Sequence, residues 1–214
     1  MFYGCTGLTS IPSGLLPSTT LTTYCYNNMF RLAGLTSLPN NLLPATTLES
    51  YCYSYMFAET SITSIPSGFL PATTLASDCY QDTFYNCRSL TTVPSNLLPA
   101  TTLEVECYRA MFNGCSGLTT APNLPATTLA NYCYYSMFYG CSSLTTIPST
   151  LPATALKDHC YRSMFYNCTS LITVPTLPAT TLKTYCYAYM FRGCSKITTA
   201  PVLSAKTLIS YCYH

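Results

Sequence analysis

The sequence predicts an α/β repeat solenoid of about eight coils, each built from one short strand and one short helix. A Met-Phe pair recurs every 26–28 residues along the chain, as at Met111, Met137 and Met164. The spacing varies only in two short segments, and it is constant between them. A fixed period of this length is the signature of stacked coils, and insertions collect in turns. We therefore expect residues 1–214 to form one repeat array, as a fragment of a longer protein without terminal caps.

The strand is predicted from Leu-Thr-Thr-Ile-Pro, residues 144–148, and from its counterparts in the other repeats. This segment is short and rich in β-branched residues, and it ends at a proline, which cannot donate to a sheet. Its threonines form a column from Thr9 to Thr198, and stacked hydroxyls can hydrogen-bond along such a column. Regular threonine arrays also occur on ice-binding surfaces, which is the alternative interpretation of the column.

The helix is predicted from the near-constant residues 129–141 and their counterparts. We number positions from Leu129, which is position 0. Constant positions 0, 4, 5, 8, 9 and 12 cover one half of a helical wheel, and variable positions 2, 3, 6, 7 and 10 cover the other half. Position 1 is an exception, because the wheel points it inward although it varies. Preceding threonines are N-cap candidates, and Gly140 stands where a C-terminal glycine belongs.

Composition excludes several classes of partner. Charged residues make up only 7% of the chain, and the formal net charge is +2. An ordinary soluble domain contains about 25% charged residues. Without a run of Lys or Arg there is no electrostatic footprint for nucleic acid. No apolar stretch approaches the roughly 20 residues of a membrane span, so we expect no membrane insertion.

The fourteen cysteines suggest disulfides or metal, but their spacing favours neither. Two cysteines of one repeat lie eight residues apart, about 12 Å along a helix, whereas a disulfide needs Cα atoms within about 7 Å. There is no Cys-x-x-Cys, and His159 and His214 are the only histidines, so we expect no metal site. The sequence predicts buried, reduced cysteines that serve as small core residues, with disulfides between repeats as the alternative.

No catalytic constellation stands out from the repeat. Asp158 and His159 are adjacent, so they would point in different directions from a helix, and Glu104 and Glu106 lie beside Arg109 as solvated charges would. Catalysis needs a nucleophile, base or metal in a defined arrangement. We therefore expect a non-enzymatic protein without a cofactor.

The variable positions 3, 6, 7 and 10 carry mainly Tyr, Ser, Asn, Asp and Arg. Recognition surfaces are enriched in these residue types, and exposed tyrosine also suits stacking on sugar faces. Passive drift of a solvent face would supply more Lys and Glu. The candidate ligand-binding residues are Tyr24, Tyr51, Tyr55, Tyr85, Arg109, Tyr132, Tyr135, Tyr139, His159, Arg162, Tyr166, Tyr185, Tyr189 and Arg192.

The repeat resembles the BspA-type leucine-rich repeats and a related bacterial surface-protein repeat of about 26 residues. The resemblance is carried by Met-Phe-x-Gly-Cys-x-x-Leu at Met137–Leu144, Leu-Pro-Ala-Thr-Thr-Leu at Leu124–Leu129, and Cys133-Tyr134. It implies a leucine-rich-repeat-like solenoid from a surface-exposed or secreted protein of Bacteroides-like bacteria, or from a fibre of their phages. The segments after Phe30 and Phe57 depart from the pattern, because they lack the Gly-Cys corner.

We therefore expect an extracellular or cell-surface adhesion module that binds a glycan or a cell-surface protein through variable, Tyr-rich helix faces. Repeated weak contacts would supply the affinity. One alternative is a receptor-binding segment of a phage tail fibre, located on the virion. Another is a structural spacer or self-assembling filament, whose uncapped ends would associate end to end.

Overall fold

The computed structural model describes all 214 residues as one stack of coils around a continuous hydrophobic cluster of 63 buried residues. It contains no α-helix, and its strands are reduced to isolated pairs of residues. No helix is therefore present that could cross a lipid bilayer. The predicted stack of repeats is confirmed, whereas the predicted helix in each coil is wrong.

A ribbon of consecutive β-turns takes the place of the helix, over residues 129–141 in the sixth coil when coils are counted from the one that contains Phe2. Even positions donate their N–H to the carbonyl three residues back, as Met137 does to Tyr134 at 3.2 Å. Odd positions donate to the next coil, as Tyr134 does to Cys160 at 3.0 Å. We call this segment the turn ribbon. About half of its peptide groups bond within the coil and half bond along the stack.

Left-handed backbone at positions 3, 7 and 11 explains why the turn ribbon is not helical. In the sixth coil the φ values are 57° at Tyr132, 52° at Ser136 and 71° at Gly140. An α-helix requires negative φ at every residue, so no helical run longer than three residues fits between these positions. Gly140 is left-handed, as a C-terminal glycine would be, but it belongs to a turn.

The predicted division into buried and exposed positions is nevertheless largely confirmed. The constant positions of the sixth coil after Leu129 are each at most 1% exposed, namely Cys133, Tyr134, Met137, Phe138 and Cys141. Position 1 is the correction. The helical wheel points it inward, but Lys157 and Glu104 are exposed there, before the first left-handed residue at position 3.

Aromatic ladders form where equivalent inward positions of successive coils stack. Position 9 gives a phenylalanine ladder from Phe2 to Phe191, with neighbouring ring centroids 5.5–5.7 Å apart. Position 5 gives a tyrosine ladder from Tyr26 to Tyr213, with spacings of 5.6–6.0 Å. Packed α-helices lie about 8–10 Å apart, so these ladders fix a coil spacing that helices could not adopt.

The cysteines are free thiols, and all except Cys5 and Cys25 are buried, as predicted for small core residues. At position 12 the thiol donates to the phenylalanine carbonyl of the preceding coil, as Cys141 does to Phe112 at 3.2 Å. Burial raises the pKa of Cys133 to about 12. The Cys133 thiol is therefore protonated at neutral pH, and the thiols at position 12 tie neighbouring coils together.

The predicted strand is reduced to single parallel bridges, such as Thr120 with Thr146 and Ser64 with Thr92. The threonine column does hydrogen-bond along the stack. The Thr119 hydroxyl donates to the Thr91 carbonyl at 3.1 Å, and that of Thr145 donates to the Thr119 carbonyl at 3.2 Å. The acceptors are backbone carbonyls rather than neighbouring hydroxyls, so the column reinforces contact between coils.

Candidate functional site

The outward positions 3, 6, 7 and 10 of the turn ribbons form one surface, which we call the variable face. Stacking aligns equivalent positions of neighbouring coils into columns, so side chains from adjacent coils lie side by side. Tyr132, Tyr135 and Tyr139 are half-buried against such neighbours, and Ser136 is buried. A site on this face is consequently assembled from several coils rather than from one.

A pocket of about 430 Å³ opens in the middle of the variable face, and we call it the central pocket. Position 7 is small in three consecutive coils, at Ala110, Ser136 and Ser163, where coils three and eight carry Tyr55 and Tyr189, and the first two of these small residues line the pocket. Its lining consists of Arg31, Tyr55, Asp82, Tyr85, Arg109, Ala110, Asn113, Tyr135, Ser136 and Tyr139.

The carboxylate of Asp82 is the acidic group of the central pocket. Its residue is only 5% exposed, and no cationic side chain lies within 4 Å of it. Burial raises the pKa of Asp82 to about 6, while the Tyr55 hydroxyl and the Arg109 and Arg31 guanidiniums act in the opposite direction. Asp82 is therefore a hydrogen-bond acceptor in the pocket wall that is not committed to an ion pair.

The two guanidiniums of the central pocket are paired with carboxylates at its edge. Arg31 lies 2.7 Å from Glu59, and Arg109 lies 2.7 Å from Glu106. Their guanidinium carbons also lie over tyrosine rings, at 5.1 Å from the Tyr55 centroid for Arg31 and 5.6 Å from the Tyr135 centroid for Arg109. Such partly exposed pairs add little stability, but they hold the N–H donors in place beside the pocket.

The column at position 3 is built differently from the central pocket. Tyr132, His159, Tyr185 and Tyr211 stack in series, with centroid spacings of 4.4, 5.0 and 4.7 Å, and Tyr24 stacks on Tyr51 at 4.6 Å. In coils four and five, Asp78 and Glu106 occupy this position and interrupt the column. The stacked rings cover each other's faces, so they present edges and hydroxyls to a ligand rather than the flat faces expected from the sequence.

The remaining candidates lie together in coils seven and eight, outside the central pocket. The guanidinium carbon of Arg162 lies 5.0 Å from the Tyr185 centroid and 5.6 Å from the Tyr189 centroid. That of Arg192 lies 5.7 Å from the Tyr166 centroid and 5.6 Å from the Tyr189 centroid. The Tyr189 ring therefore bridges the two arginines.

The sequence identified only part of the central pocket. Tyr55, Tyr85, Arg109, Tyr135 and Tyr139 were candidates, and the structure brings them together. Five lining residues were missed, namely Arg31, Asp82, Ala110, Asn113 and Ser136. All five occupy variable positions, and the consecutive small residues at position 7 were the signal for a depression between tyrosines.

Elsewhere the structure presents one larger cavity, of about 590 Å³, at coils eight and nine. Core residues such as Met190 and Phe191 contribute to its lining, and their equivalents in inner coils are covered by the next coil. No group of three or more His, Cys, Asp or Glu side chains is placed to hold a metal ion. The central pocket is accordingly the best-defined polar site on the variable face.

Comparison with known proteins places the chain in a repeat family. The model of the BspA type leucine rich repeat region matches residues 77–214 in six copies. No curated protein matches the chain. The six matched copies cover more than half of the chain and include most of the turn ribbons described above. The chain therefore belongs to the BspA-type leucine-rich repeat family.

Proposed function

We propose that the chain is a non-enzymatic recognition module of a bacterial surface protein, and that its central pocket binds an oligosaccharide. BspA-like repeats are typical of bacterial surface proteins, which supports an extracellular location. The observation that carries the proposal is the combination, in one pocket, of the buried Asp82 carboxylate, two oriented guanidiniums and four tyrosines.

The pocket chemistry suits a ligand rich in hydroxyl groups. Sugar hydroxyls both donate and accept hydrogen bonds. Asp82 can accept, Arg31 and Arg109 can donate, and the Asn113 amide can do both. A volume of about 430 Å³ also falls within the roughly 300–1,000 Å³ of small-molecule sites.

The position 10 column adds a slot between two aromatic rings. Tyr85, Asn113 and Tyr139 occupy this position in coils four, five and six, and all three line the pocket. The two tyrosines are thus two coils apart, about 10 Å at roughly 4.8 Å per coil. One face of Tyr139 stacks on Tyr166, with centroids 4.7 Å apart, and the other faces the coil that carries the smaller Asn113. A sugar ring can lie above Asn113, between the two tyrosines.

Binding without turnover is favoured by the composition of the lining. Glycoside hydrolysis uses a pair of carboxyl groups that flank the scissile bond. Asp82 is the only carboxylate in the lining, which also contains no histidine or cysteine. The pocket therefore has acceptors and donors for binding, whereas the Glu59 and Glu106 carboxylates at its edge are held in ion pairs with Arg31 and Arg109.

The proposal is tested with the labelled chain on an array of bacterial capsular, host mucin and plant glycans. The decisive variant is Ser136→Tyr, which fills the pocket. Position 7 already holds tyrosine at Tyr55 and Tyr189 with φ of 54° and 56°, and Ser136 has φ of 52°, so the backbone suits the new side chain. Ser163→Tyr is the matched control, because Ser163 occupies position 7 of the next coil and does not line the pocket.

We expect Ser136→Tyr to lose at least about tenfold in affinity for the bound glycan, or about 1.4 kcal/mol, with Ser163→Tyr close to wild type for neutral glycans. Equal binding by wild type and Ser136→Tyr would place recognition outside the central pocket. Absence of binding to every glycan by the folded wild-type chain would contradict a carbohydrate ligand.

A further inference from the structure

Charge is distributed unevenly along the stack. Residues 1–128 contain three arginines and six carboxylates, a net charge of −3. Residues 129–214 contain six Lys or Arg and a single carboxylate, Asp158, a net charge of +5. The small net charge of the whole chain therefore hides an acidic half and a basic half.

The arginines of the variable face differ between the two halves in the same way. Arg31 and Arg109 each have a carboxylate partner at 2.7 Å. Arg162 and Arg192, in the basic half, have no carboxylate within 4 Å. These last two are therefore the arginines of the variable face that have no carboxylate partner within residues 1–214.

The nearest acid does not neutralise this pair. Asp158 accepts a hydrogen bond from the backbone N–H of Thr184 in the next coil at 2.9 Å. The Arg162 guanidinium donates instead to Nδ1 of His159 at 3.2 Å. Because arginine only donates, Nδ1 accepts this hydrogen bond, so His159 is neutral here and supplies no counter-ion for Arg162.

Aromatic rings hold both guanidiniums on the surface. Tyr185 and Tyr189 lie within 5.0 and 5.6 Å of Arg162, and Tyr166 and Tyr189 lie within 5.7 and 5.6 Å of Arg192. Stacking on a ring attracts a cation but supplies no counter-ion. Guanidiniums fixed in this way are prepared for oxyanions, which arginine binds through two parallel hydrogen bonds to two of their oxygens.

We infer that Arg162 and Arg192 form an anion subsite for the carboxylate or sulfate groups of an acidic oligosaccharide, with Tyr166, Tyr185 and Tyr189 as its aromatic wall. This inference rests on the proposed glycan-binding function and names the ligand class. The ligand crosses several coils, with neutral sugar rings in the central pocket and a charged group at coils seven and eight. Because the acidic half repels an anion, the charged end of the ligand lies over the basic half and the neutral sugar rings lie over the central pocket.

The test compares matched glycans on one array, each backbone printed in neutral, carboxylated and sulfated forms, with poly-glutamate as a non-carbohydrate anion. The variant is Arg162→Gln with Arg192→Gln. Its control is Arg88→Gln, which removes an exposed arginine that makes no ion pair. Thermal unfolding checks that every variant is folded.

We expect an anionic form to bind at least about tenfold more tightly than its neutral form, and the double variant to remove that preference while Arg88→Gln keeps it. The preferred form distinguishes carboxylate from sulfate.

The wild-type chain could instead bind neutral and anionic forms with equal affinity and lose this binding in Ser136→Tyr. That result would overturn the anion subsite and leave the central pocket as the binding site. Anionic binding sensitive to the arginines but not to Ser136→Tyr would support the subsite and contradict the pocket. Equal capture of poly-glutamate would overturn the carbohydrate ligand in favour of an acidic protein, and absence of all binding would overturn both proposals.

Discussion

Replacing Tyr132 by glycine and by alanine, in two separate variants, tests the turn ribbon directly. Tyr132 has φ of 57° and lies in the middle of the array, where its N–H donates to the Asp158 carbonyl at 3.0 Å. Both variants remove the same stacking on His159, whose centroid lies 4.4 Å away. Their difference in stability therefore reports the backbone conformation at this residue.

The two backbones predict opposite signs for that difference. A residue with a Cβ atom destabilises the folded state by about 1–2 kcal/mol in the left-handed conformation, and glycine avoids this cost. Glycine also makes the unfolded chain more flexible, which lowers the free energy of unfolding by about 0.4–1 kcal/mol and offsets part of the gain. Tyr132→Gly should therefore be more stable than Tyr132→Ala by on the order of 0.5–1 kcal/mol. In a helix, alanine would be the more stable by about 1 kcal/mol.

The assay is urea unfolding, in which this difference moves the midpoint by roughly 0.3 M at a slope of about 2 kcal/mol/M. Ala130→Gly is the matched control, two residues away, because Ala130 is not among the left-handed residues. There glycine should be less stable than alanine by about 0.5–1 kcal/mol. Alanine more stable than glycine at both positions would refute the turn ribbon.

Two further predictions concern ionisable groups. In the native chain only Cys5 and Cys25 should react rapidly with a thiol reagent, because the other cysteines are buried. All fourteen cysteines should react in denaturant. More than two rapidly reacting thiols in the native chain would contradict the packing. For Asp82 the folded pKa of about 6 lies above its ordinary value of 3.8, so its stabilising effect is full below about pH 4 and is lost as pH rises through about 6. The unfolding free energy of wild type, measured relative to Asp82→Asn, should accordingly fall by up to about 3 kcal/mol from pH 4 to pH 7, and an unchanged difference would contradict a buried carboxyl.

The sequence revealed burial but not backbone conformation, and the reason is geometric. Inward pairs recur every four residues in the turn ribbon, and a helix repeats every 3.6 residues. Over the short span from Leu129 to Cys141 the two periods assign nearly the same residues to the core. Both periods also place position 1 inward, but Lys157 and Glu104 are exposed there, and the variability of this position is consistent with its exposure.

The left-handed residues were also hidden in the sequence. Glycine marks position 11 in several coils, but positions 3 and 7 carry Tyr, Asp, Ser and other residues with side chains, as at Tyr132 and Ser136. Their conformation is maintained by hydrogen bonds to the neighbouring coils, as from Ser136 N–H to the Arg162 carbonyl at 2.9 Å. A backbone conformation that depends on contacts between stacked coils cannot be predicted from the sequence of a single repeat.

The turn ribbon also explains how this face can vary without loss of the fold. Its backbone is fixed by hydrogen bonds within and between coils and by the inward ladders, none of which involves the side chains at positions 3, 6, 7 and 10. Coils spaced for aromatic stacking bring these side chains much closer together than helices 8–10 Å apart would. Exchanging one small residue for a large one, such as Ser136 for tyrosine, therefore reshapes a pocket that spans several coils. Size and charge along a column, rather than any single motif, determine what such a face can bind.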